Sequence, residues 1–218
     1  MKTANATMVI MVLLGVVCLC TGTADAIVVD LDQIEVGTIV AGELPDGTIL
    51  GRNHFEDFSI TVDNHGAGPN SLVICEATEF LEHDKGPGGS EHIMMVAGNV
   101  IDRRPEDGLV DDPAFEPDGG VVDLHFHTPV NLAYVLLDRV EAHDNHSKLF
   151  VDGVEAFSVS NGEQWENTGI FIDLDGYLSV NSIRLELYGG IGIARIAYFP
   201  ESVDAETFTW GAVKELYK

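Results

Sequence analysis

The sequence predicts an all-β protein, a β-sandwich or jelly roll that ends in a short C-terminal helix or tail. Three observations carry this expectation. Apolar and polar residues alternate with period 2 over many short runs, as in strands with one buried face. Clusters of Gly, Pro, Asn and Asp punctuate those runs at the close spacing of sandwiches and barrels. Sustained helical periodicity is nearly absent before residue 201.

Taken in order, Met8–Leu19 is an apolar run preceded by Lys2 and followed by Ala24-Asp25-Ala26. A charged start, a short apolar centre and an A-x-A end describe a secretory signal over residues 1–26, cleaved after Ala26. The run is shorter than the roughly 20 residues of a membrane span, so no span is expected in the mature chain. Strands are predicted at Ala26–Leu31, Phe58–Val62, Ser71–Cys75, His92–Val96, Gly120–Phe126 and Asn131–Asp138. Further strands are predicted at Lys148–Val151, Glu155–Val159, Gly169–Asp173, Ser182–Tyr188 and Ile193–Phe199, all within one domain over residues 27–200. Asp152-Gly153 between two such runs is a two-residue hairpin signal. Residues 201–218 leave the strand pattern and form the tail.

Composition narrows the function. The formal charge is −25, from 36 acidic and 11 basic residues. Such a field repels nucleic acid and anionic membranes, and no Lys/Arg cluster offsets it locally. After the signal a single cysteine remains, Cys75, so no internal disulfide can form. In the run Ser71-Leu-Val-Ile-Cys75 that thiol reads as a small core hydrophobe.

Four groups of residues bear chemistry. Asp107, Asp111, Asp112, Glu116 and Asp118 cluster on a turn-rich loop and could offer calcium the hard oxygens it needs, or could simply face water. His125 and His127 share one face of a predicted strand, with His143 and His146 in a following turn, a set that could chelate zinc or copper. Trp165 and Tyr177 fall in or near loops and could stack on a sugar ring. Trp210, Lys214 and Tyr217 in the tail form a box that a sorting or docking partner could read. No nucleophile elbow or phosphate loop is present: Gly189-Gly-Ile-Gly192 lacks the strand-then-helix setting.

Several of these segments also carry a resemblance. Asp30-Leu-Asp-Gln-Ile-Glu-Val-Gly-Thr-Ile-Val40, Phe58–Ile74, Asp107-Gly-Leu-Val-Asp-Asp-Pro113, Asp118–Phe126 and Tyr188–Phe199 resemble a group of secreted bacterial β-sandwich domains. That group is found in envelope proteins sorted through PEP-CTERM-type signals, and is similar in design to galactose-binding-like jelly rolls. The resemblance implies a secreted or cell-surface, non-catalytic domain that binds extracellular polysaccharide or another envelope component, sometimes with calcium. In such domains acidic residues on the first and last strands lie side by side. Asp32 matches the first position, whereas Gln33, Ala194 and Arg195 depart from the pattern and remove that terminal site. The tail is similar to a box at the C-termini of some secreted bacterial proteins. Two further readings stand beside the binding domain: a structural or adhesive envelope protein, and a metal-dependent hydrolase using the histidines.

Overall fold

A computed structural model describes residues 26–50, 54–77, 92–104, 107–140, 147–159 and 168–201. The strands are β1 Ile27–Val28, β2 Ile39–Gly42, β3 Phe58–Asn64, β4 Ser71–Glu76, β5 His92–Val96 and β6 Gly120–Val140. They continue with β7 Lys148–Val151, β8 Val154–Ser158, β9 Thr168–Asp173, β10 Val180–Leu187 and β11 Gly192–Pro200. A 3-10 turn at Leu31–Gln33 follows β1. No helix among the described residues is long and apolar enough to cross a membrane. The all-β expectation holds.

All eleven strands join one antiparallel sheet, ordered β2-β4-β5-β11-β6-β10-β7-β8, with β1 on β11 and both β3 and β9 on β6. The long strand β6 organises it. Its first half, from Gly120 to Phe126, lies between β3 and β10. Its second half, from Val130 onward, lies between β11 and β9. The sequence reading divides this segment into Gly120–Phe126 and Asn131–Asp138, leaving residues 127–130 between them, but the strand runs straight through, Thr128 and Pro129 included. Neither residue has a paired neighbour in the ladders, so the N–H that proline lacks is not needed there.

One buried cluster unites side chains from both ends of the strand order, including Leu72, Ile74 and Met94 with Leu149, Ile183 and Leu185. A second cluster lies on the other face of β4 and β5: Val73, Cys75, Ile93 and Met95, joined by Val110 and the partly buried Phe115. This explains the unbroken apolar runs Leu72–Cys75 and Ile93–Val96, since strands covered on both faces need no polar alternation. Cys75 is buried there, as its sequence setting suggests.

The strand missed by sequence reading is β2. It pairs with β4, about thirty residues further along the chain, and the chain then turns back along its outer edge. Asp152 and Gly153 both have positive φ, 46° and 79°, as a type I′ hairpin requires.

Candidate functional site

The acidic segment after β5 is built into the fold as a cover. Its backbone is stitched to the sheet through Val110 N–H to Gly37 O (2.9 Å), Glu116 N–H to Val96 O (2.9 Å) and Gly98 N–H to Ala114 O (2.7 Å). Gly37 has φ +88°, and a Cβ there would strike the Val110 carbonyl, so the close approach needs glycine.

Anchored in this way, the carboxylates take different partners. Asp111 accepts from Arg104 Nε at 2.7 Å and from the Arg103 backbone N–H. The Arg104 hydrogen bond, with the Arg103 amide behind it, holds the Asp111 carboxyl below the usual carboxylate range. Asp107 shares the same guanidinium at 3.7 Å. Glu116 turns inward instead, buried against the loop after β3, where its Oε2 accepts from Gly68 N–H at 3.0 Å. Asp112 and Asp118 are exposed. Among the described residues, no three His, Cys, Asp or Glu side chains are grouped so as to hold a metal ion.

His125 and His127 are exposed on one face of β6, as alternation places them. His125 lies opposite Ser59 on β3 and Ser182 on β10. Asp123, on the same face, is 3.5 Å from Arg184. His143 and His146 lie outside the described residues, as do Trp165, Trp210, Lys214 and Tyr217. Tyr177 is partly buried against the main core, and its backbone closes a turn with Leu174 N-terminally and Leu132 across the sheet.

Two features escape sequence reading. On β9, Phe171 is 44% exposed and its ring sits 4.9 Å from the buried ring of Tyr134 on β6. Asp173 is paired directly with Tyr134 in the ladder and shares that face. The second is a groove of about 540 Å³ beside β3, lined by Ile49, Leu50, Phe55, Ile60, Val62 and His127 among others. Alternation could have marked Phe171 as facing outward, but not its partner, because Tyr134 lies in a different strand.

Comparison with known proteins finds no family model that matches the chain and no curated protein that matches it.

Proposed function

We propose that this chain is an exported, jelly-roll-like domain that binds extracellular glycan without transforming it. The observation that supports this reading is the aromatic step on β9. Tyr134 is buried and holds the Phe171 ring at a fixed tilt while that ring stays 44% exposed. A pyranose can lay its apolar C–H face on such a ring, and the neighbouring Asp173 carboxylate can accept from sugar hydroxyls. Because the ring is held by its neighbour, little side-chain entropy is lost on binding. The core spanning both ends of the strand order suits a two-layered jelly roll, the architecture that the sequence resemblance implies.

The test is a glycan array with the full chain, followed by titration of the best polysaccharide against Phe171→Ala. Loss of at least tenfold in affinity, with an unchanged melting temperature, supports the reading. No polysaccharide bound, or equal binding by the variant, overturns it. Export is tested separately by N-terminal sequencing of the secreted product, which should begin at Ile27.

A further inference from the structure

The β3–β6 ladder fixes which backbone groups of β3 are used. His127 N–H donates to Asp57 O at 2.9 Å, and His65 N–H donates to Gly119 O at 3.0 Å, in one unbroken register. In an antiparallel pair hydrogen-bonded residues alternate, so Ser59, Thr61 and Asp63 point their amides and carbonyls at β6. Ile60, Val62 and Asn64 therefore point theirs away from it. The outward Asn64 N–H is taken by Asn70 Oδ1 at 2.9 Å. The outward groups of Ile60 and Val62 have no partner among the described residues.

The facing strand edge is arranged differently. On β2, Gly42 O accepts from Leu50 N–H (2.8 Å) and Val40 O accepts from His54 N–H (3.1 Å), so that edge is closed. The groove of about 540 Å³ runs between this closed edge and the open one of β3. Ile49, on its rim, is 70% exposed.

We propose that this groove takes an extended segment of a partner polypeptide, paired as an added strand on β3. The partner alternates apolar residues with Lys or Arg. Its apolar side chains would lie on the inward side with Ile60 and Val62, beside Leu50. Its cations would lie on the outward side with Thr61 and the exposed Asp63. Main-chain hydrogen bonds supply affinity in this mode, and alternate side chains supply specificity. Charge selects the partner: the chain carries −25, so a second copy would bring like charge to the same edge, whereas a basic strand is drawn to it.

The experiment titrates the full chain with a fluorescent peptide of alternating Val and Lys. Controls are a Val–Glu peptide, a scrambled Val/Lys peptide and a Val–Lys peptide methylated on its backbone nitrogens. Saturable binding of the Val–Lys peptide, at least tenfold tighter than each control, supports the proposal. Val62→Pro removes an outward N–H that the β6 ladder does not use, and should weaken binding at least tenfold. Should that variant fail to fold, Ile49→Ser alters only an exposed rim residue and should weaken binding severalfold. Equal binding of the methylated or scrambled peptide would overturn strand addition, as would no binding at all. Dimerisation of the wild-type chain through this edge, abolished by Ile49→Ser, would overturn the choice of partner.

Discussion

The Tyr198 hydroxyl donates to Asp57 Oδ2 across 2.6 Å, joining the last strand to the segment that leads into β3. The Tyr198 ring is buried and meets the rings of Phe58 and Phe126 edge-on, at centroid distances of 6.4 and 5.2 Å. This contact sits at the seam where the two halves of β6 change neighbours. Burial, reinforced by the Asp57 hydrogen bond and charge, pushes the Tyr198 phenol above its ordinary range.

A pH dependence follows, with a definite sign. The folded state keeps the Tyr198 proton to higher pH than the unfolded chain, whose phenol titrates at about 10. The contribution to stability is therefore complete below that value and is lost as pH rises from there through the folded pKa. Tyr198→Phe should cost about 1 kcal/mol at neutral pH, less than the usual worth of a bond to a charged group, because Asp57 is exposed and regains water. Urea melts at neutral pH and above pH 10 should show the gap between wild type and variant closing in alkali.

Glu116 and Gly66 should behave as a coupled pair. The three atoms nearest to a Cβ at Gly66 all belong to the Glu116 carboxylate and would collide with it, so Gly66→Ala should destabilise by about 1–3 kcal/mol. Adding Glu116→Ala should recover part of that loss, giving a clear interaction energy in a double-mutant cycle. Gly68→Ala, whose Cβ would strike the Ala97 backbone carbonyl, should be rescued by no change at Glu116.

The acidic segment should respond to its apolar anchor more than to calcium. Val110→Ala should cost about 1–3 kcal/mol, since it empties part of the second buried cluster. Excess calcium should leave the thermal midpoint of the wild type unmoved, because Asp111 is already occupied by Arg104. A rise of several degrees in scanning calorimetry would establish the acidic loop as a metal site.

Acid should act on the same pair. The folded Asp111 pKa lies below its unfolded value, so its contribution is present above the ordinary carboxylate range and is lost as pH falls through the folded pKa. Arg104→Ala should flatten the wild-type stability loss below about pH 4.

The hairpin tip offers a separate measurement. The Asp152 carboxylate accepts from the Asn181 and Ser182 backbone N–H groups at 3.1 and 2.8 Å, while its own backbone has positive φ. Asp152→Ala loses both hydrogen bonds and places an alanine in the left-handed region, and should cost about 1–3 kcal/mol. Asp152→Asn, which tolerates the left-handed region, should recover part of it in thermal melts.

Ten of the observed strands were legible in the sequence in position or close to it, most through the local period-2 pattern of one wet face and β4 and β5 as unbroken apolar runs. The same holds for the Asp152-Gly153 turn, whose residues themselves supply the required φ. Chain-local chemistry determined, too, the acidity of the surface and the burial of Cys75. What it could not determine was pairing. The β2 strand is short and acquires its identity from β4, and β6 stays continuous across Pro129 because its neighbours change there. Counting carboxylates likewise says nothing of their aim. Asp111 turns to Arg104 while Glu116 turns into the loop of Gly66 and Gly68, directions set by Val110 and Phe115 seated on a sheet assembled from distant segments. The Phe171–Tyr134 step and the pairing of β3 with β6 arise from cross-strand register in the same way. Register is a non-local property, decided by which apolar faces can be buried together, and only the tertiary structure records it.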